Sequence, residues 1–128
     1  MADGHLRFYD SIDTCCAEAH PVTGIASSTL QYLPDPRALL LRLLAATRTA
    51  IIDRLPLIAA ESDRLTVQTV PPSIYRASYP AWFFSRQRFT DFLTANGYRA
   101  VREFASIDAL ELDGRPVQTT GLIIERNG

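Results

Sequence analysis

The side chains in this 128-residue sequence whose types and spacing could do chemistry are suited to binding. Asp53-Arg54 closes the apolar run Ala50-Ile51-Ile52. A guanidinium at that point can act as a two-pronged donor to a carboxylate or phosphate; the alternative is an ion pair internal to the fold. Gln31-Tyr32 sets an amide beside a phenol, a pair able to orient a hydroxyl group, although Tyr32 would serve equally well in a core. Tyr75, Tyr79 and Trp82 could wall off a sugar or another ring, or could form a satellite cluster that pins a loop. Gln68 is close enough in sequence to line the same pocket.

What surrounds these residues narrows the chemistry. No side chain stands out as a general base, and the sequence holds no Ser-His-Asp order, no paired catalytic carboxylates and no phosphate loop. All thirteen basic residues are arginine, which excludes Schiff-base and lysine-base mechanisms. Cys15 and Cys16 are adjacent, with Cα atoms about 3.8 Å apart, too close for an ordinary disulfide. They read as free thiols of a reducing, cytoplasmic setting. His5 and His20 are isolated, so no metal site is expected. A formal net charge of −1 gives no electrostatic footprint for nucleic acid. The longest apolar stretch, around Leu39-Leu40-Leu41, is broken by Arg42 and is too short to span a membrane.

The elements that must position these residues follow from local signals. Apolar residues make up 47% and charged residues 21%, an ordinary balance for one domain with one core. Leu6-Arg7-Phe8-Tyr9 alternates and predicts a short strand ending at Asp10-Ser11. Ser11 or Asp13 can cap a helix over residues 12–19, which Pro21 stops. Residues 23–28 form a second strand candidate. Asp35-Pro36 is an N-cap with proline at the first helical position, and the leucine-rich run behind it predicts a largely buried helix. Residues 49–54 suit a central parallel strand closed by charge. Residues 55–84, with Pro56, Pro71, Pro72 and Pro80 among the aromatics, predict a long irregular loop of the kind that often binds ligands, with a short extended piece over residues 65–70. Ser85 can cap a helix that ends at Asn96-Gly97. Residues 98–104 and 121–125 read as strands on either side of an Asp113-Gly114 turn, and so as an antiparallel pair.

Strand, helix, strand, helix, strand, then an antiparallel end: this layout resembles the C-terminal half of a class I S-adenosylmethionine-dependent methyltransferase, a Rossmann-like α/β fold with strand order 3-2-1-4-5-7-6 and an antiparallel seventh strand. Leu30-Gln31-Tyr32-Leu33-Pro34-Asp35-Pro36, Ile51-Ile52-Asp53-Arg54, and Val67-Gln68-Thr69-Val70-Pro71-Pro72 with Tyr75-Arg76-Ala77-Ser78-Tyr79-Pro80-Ala81-Trp82 resemble one bacterial group of methyltransferases. The resemblance covers nearly the whole chain from Leu6. It implies the equivalents of strands 3–7, helices on the faces of the sheet, and one partial domain over residues 1–128.

The resemblance also implies a cofactor, S-adenosylmethionine, with Asp10 and Ser11 after the third strand and Ser27 and Ser28 after the fourth placed to touch it. Gln31, Tyr32, Arg54, Gln68, Tyr75, Tyr79 and Trp82 would then lie on the side of the methyl acceptor, a small molecule or glycan precursor. The glycine-rich turn after strand 1 and the acidic residue after strand 2, which hold the cofactor in the superfamily, have no counterpart. Two expectations follow. One is a truncated methyltransferase-like protein without autonomous cofactor binding. The other is an enzyme completed by an N-terminal segment, a partner chain or a dimer. A fourth strand lacking its usual neighbour also predicts pairing along that edge, either by residues 6–9 or in a homodimer.

Overall fold

The computed structural model describes residues 6–74 and 77–128. Helix α1, Ile12–Ala19, starts where the Ser11 hydroxyl accepts the Thr14 N–H at 3.1 Å and stops at His20, whose left-handed backbone returns its N–H to the Cys16 carbonyl. Strand β1 is Thr23–Ser27. Helix α2, Pro36–Ala46, is capped by Asp35, which accepts the Ala38 N–H at 3.2 Å, and has proline in its first turn. Strand β2 is Thr49–Leu55, followed by β3, Leu57–Ile58, β4, Arg64–Thr69, and β5, Ser78–Ser85. Helix α3, Arg86–Ala95, is capped by Ser85 and closes at Asn96. Two long strands end the chain, β6, Tyr98–Leu112, and β7, Arg115–Arg126. Asp113 and Gly114 join them with φ of 52° and 75°, the doubly left-handed turn whose twist matches a hairpin.

The main sheet runs β1-β2-β7-β6. β1 and β2 are parallel, with α2 between them in the chain, and β7 is antiparallel to both its neighbours. This is the 4-5-7-6 end of the strand order that the resemblance implies, with the antiparallel strand in its expected place. Leu40 and Leu44 of α2, Phe89 and Leu93 of α3, and Ala26, Ala50, Ile52, Leu55, Leu122 and Ile124 of the sheet form one buried core.

Four sequence expectations change. Residues 6–9 carry no strand; four residues of alternating pattern do not hold a strand alone. Helices on the faces become, among the described residues, α2 and α3 on one face of the sheet. After α3 the chain returns as a hairpin, without a crossover to the other side. There Ile25, Ile51 and Ile123 sit in register across three strands, with Ile25 66% exposed. Residues 55–84 are not irregular throughout: they build a second sheet of order β3-β5-β4. Pro80 is tolerated within β5 because β3 reaches only Phe84 and Ser85, leaving the other side of β5 open at residue 80. The strands predicted over residues 98–104 and 121–125 extend to fifteen and twelve residues.

The second sheet is tied to the helices by a polar clasp. Asp63 accepts the Ser85 N–H at 2.7 Å and pairs with Arg37 of α2 at 2.8 Å. The Arg37 guanidinium lies 5.5 Å from the Phe92 ring centre. The Ser85 hydroxyl donates to the Ala60 carbonyl at 2.6 Å, and Arg88 Nε donates to the Glu61 carbonyl at 2.7 Å. Burial of these groups is compensated because each has a partner.

Candidate functional site

The polar residues of the sheet gather at the carboxyl end of β1 and β2, where the backbone departs from regular pairing twice. In β2, Asp53 and Arg54 lie between Ile52, paired with Leu122, and Leu55, paired with Thr120, so two residues oppose Gly121 alone. Arg54 takes φ of 57° to do so. In β6, Ser106, Ile107 and Asp108 lie between Ala105 and Ala109 and oppose Thr119 alone. Bulges re-aim side chains and sharpen local twist. Here they face each other across β7 and are cross-linked over it.

The Ser106 hydroxyl donates to Asp53 Oδ1 at 2.7 Å, and the same oxygen accepts the Arg54 N–H at 2.8 Å. Arg54 donates from Nε and Nη2 to Asp108 Oδ2 at 3.1 and 2.6 Å. The Thr119 hydroxyl, fully buried, meets Asp108 Oδ1 at 2.5 Å. The Asp108 hydrogen bond and charge raise the Arg54 pKa, opposed by desolvation, with Tyr32 and Asp53 adding to the rise. The Arg54 hydrogen bond holds the Asp108 carboxyl below its ordinary range against the opposing effect of burial, and Thr119 helps. Asp108 is therefore an ionised partner at neutral pH and a weak base. Arg54 and Asp53 are neighbours but not each other's ion pair: the guanidinium reaches over β7 to Asp108 instead.

Gln31 sits in a single 3-10 turn, Leu30–Tyr32, just after β1. It is 2% exposed; its amide nitrogen donates to the Arg54 carbonyl at 3.1 Å and meets the Ser28 hydroxyl at 3.4 Å. Its Oε1 is buried without a partner among the described residues. Ser28, at φ of 52°, donates its N–H to the Asp53 carbonyl and so closes the β1 end onto β2. Tyr32 meets Tyr79 edge to face, with ring centres 5.5 Å apart. Gln31, Tyr32, Leu65, Pro80 and Trp82 line a cleft of about 190 Å³ with Leu33 and Pro34.

The structure thus brings together Ser28, Gln31, Tyr32, Arg54, Tyr79 and Trp82 of the residues singled out from sequence. Ser27 ends β1 with its side chain exposed and its carbonyl accepting the Thr29 hydroxyl at 2.9 Å. Gln68 does not join them. It lies on the opposite side of β4 from Leu65, donating to Thr66 Oγ1 at 2.8 Å and toward the Glu111 carbonyl at 3.4 Å. Tyr75 lies outside the described residues. Asp10 and Ser11 line a different cleft, of about 600 Å³, with Thr23 and Gly24 at the start of β1, Leu39 and Leu43 of α2, and both free cysteines.

That separation bears on the cofactor. Gly24 and Ser28 lie at opposite ends of β1, roughly 13 Å apart at strand rise, and Ser11 is already engaged as the α1 cap. Asp10 and Ser11 are therefore not brought into one cleft with Ser27 and Ser28. Among the described residues no group of three or more His, Cys, Asp or Glu side chains is placed to hold a metal ion, and no helix is long and apolar enough to cross a membrane. Sequence reasoning missed Asp108, Ser106 and Thr119. The interruption of apolar alternation at Ser106-Ile107-Asp108 is the only local sign of them.

Fold and site together define a mixed α/β domain with a polar cluster at the carboxyl end of its parallel strands. Solved structures similar to it include the N-terminal domain of EvdMO1 in the presence of SAH and D-fucose, at 11% identity and a TM-score of 0.46, covering 84% of this chain and 47% of that one. The same domain with SAH bound matches at 11% identity and a TM-score of 0.44, covering 84% and 46%. The chain spans about half the length of these structures. No family model and no curated protein matches it.

Proposed function

We propose that this chain is the acceptor-side part of a methyltransferase-like domain and does not bind S-adenosylmethionine by itself. One observation carries the reading: the strand order β1-β2-β7-β6 with β7 antiparallel, the order expected for strands 4, 5, 7 and 6 of such a domain. Open α/β sheets take ligands beyond the carboxyl ends of their strands, and the cluster of Gln31, Tyr32, Arg54, Tyr79 and Trp82 is at that end. The acceptor suited to it is a small molecule or glycan precursor that a tyrosine pair and a tryptophan can meet face or edge on.

The test is a thermal-shift and calorimetric titration with S-adenosylhomocysteine at millimolar concentration. A bound ligand at a hundred times its dissociation constant stabilises by about 2.7 kcal/mol. The expected result is no shift; a saturable shift would overturn the proposed lack of autonomous binding.

A second reading is favoured by the outer edge of β1, beside which no strand lies among the described residues and where Ile25 is 66% exposed. A strand added there, from a second copy, a partner chain or a further segment, would complete an active methyltransferase. In the homodimer form of this reading, light scattering at tens of micromolar gives twice the chain mass; a monomeric mass removes that form.

A further inference from the structure

Resting on the reading of the carboxyl-end cleft as the acceptor side, we propose that the cleft selects an uncharged, hydroxyl-bearing ring over an anionic one, and that Asp108 is the residue that sets this selectivity. Arginine at a strand end invites an anion, but Arg54 is already neutralised: both donating nitrogens rest on one Asp108 oxygen. Asp53 adds a second carboxylate, held by Ser106 and the Arg54 N–H. An entering carboxylate or phosphate would have to displace Asp108 and then face two like charges, and such juxtaposition discriminates strongly against a partner.

A hydroxyl meets the opposite situation. It can accept from the guanidinium and donate to a carboxylate without displacing either. The buried Gln31 Oε1 carries the argument independently. Among the described residues that atom has no donor, which a hydroxyl supplies and an ionised carboxylate does not. Gln31 lines the cleft walled by Tyr32, Leu65, Pro80 and Trp82, and Tyr79 packs on Tyr32. Gln31 Nε2 donates to the Arg54 carbonyl at 3.1 Å, which ties the cleft wall to the backbone of the charged cluster. Planar polar groups beside aromatic faces suit a ring that is apolar on its faces and polar around its edge.

Saturation-transfer NMR titrations of the chain with methyl β-D-glucopyranoside and methyl β-D-glucuronide test this, because the two probes differ only in a hydroxymethyl against a carboxylate. The wild-type chain should favour the neutral glycoside by about tenfold, equivalent to about 1.4 kcal/mol. Asp108→Asn should reverse the preference by releasing Arg54. Asp108→Glu, which keeps the charge, should retain the wild-type order, and adding Arg54→Gln to Asp108→Asn should abolish the gained glucuronide binding. Circular dichroism melts verify that each variant is folded, and Asp108→Glu carries the test if Asp108→Asn is not. A wild-type chain that favours the glucuronide, or a folded Asp108→Asn variant with an unchanged ratio, overturns the inference but leaves the acceptor-side reading standing. Failure of both glycosides to bind overturns the inference but not the acceptor-side reading, which also admits other small molecules.

Discussion

Gly121 occupies the middle of β7, and in the β6–β7 ladder it stands opposite Phe104. The ring lies directly over it: a Cβ added there would fall 2.1 Å from Phe104 Cζ and 2.2 Å from Cε2. Carbon atoms in ordinary contact stand about 3.5–4.0 Å apart, so Gly121→Ala must drive the ring away by more than about 1 Å. Phe104 is 38% exposed and can swing toward solvent, so the cost is the part of the ring now covered. Full burial of a phenylalanine is worth about 1.5–3 kcal/mol, which sets that part at about 1–2 kcal/mol. Gly121 is not in the left-handed region, so alanine recovers about 0.4–1 kcal/mol by restricting the unfolded chain. The net expectation is a loss between zero and about 1.6 kcal/mol. Urea denaturation with a double-mutant cycle isolates the contact. In a Phe104→Ala background the clash is gone, and Gly121→Ala should become neutral or slightly stabilising. An equal loss in both backgrounds would refute the reasoning.

Leu40→Ala, at a site 1% exposed in the centre of the core, should cost about 2–5 kcal/mol in urea melts, against near-zero cost for Leu65→Ala on the exposed face of β4. Asp63→Ala leaves the Ser85 N–H and the Arg37 guanidinium without their partner and should cost about 1–3 kcal/mol; hydrogen exchange at residues 59–63 should accelerate with it. The Asp108 and Asp113 carboxyls are held below their ordinary range by hydrogen bonds from Arg54 and Arg64 respectively. Their contribution to stability is therefore complete above that range and is lost as pH falls through the lowered folded values. Thermal melts between about pH 2 and 7 should show Asp108→Asn removing part of that acid limb, and an unchanged acid limb in the variant would contradict the assignment.

Legibility in the sequence followed the range of the interaction. Asp35-Pro36, Ser85, Asn96-Gly97 and Asp113-Gly114 act on backbone groups within a few residues, so side-chain chemistry alone locates those helix ends and the turn. Residues 6–9 show the limit of pattern: their alternation matches a strand, but they carry none. The stretch 55–84 misleads in the other direction, because four prolines suggest irregularity while Leu65, Val67 and Trp82 still alternate into a hairpin. Within the site, Gln31, Tyr32 and Arg54 stand out by type and position. Asp108 does not, because its meaning depends on Arg54 lying 54 residues away, and nothing near residue 108 announces that neighbour. The strand order itself was legible only through the resemblance, since local propensity says nothing about which strands become neighbours.

The extra residue in β2 also acts as a change of phase. Before it, the inward positions are even, Ala50 and Ile52; after it, the inward position is odd, Leu55, and all three are buried. One strand therefore carries two reading frames of its hydrophobic code, joined at Asp53-Arg54. Deleting either of those residues would keep every apolar residue of the strand yet force a choice. Leu55 would turn outward, or β2 would slip by one residue against β7 and turn Ala50 and Ile52 outward instead. The polar pair at the join is thus part of the frame that keeps the sheet facing one way, and an arginine in a left-handed backbone is the mark of the splice.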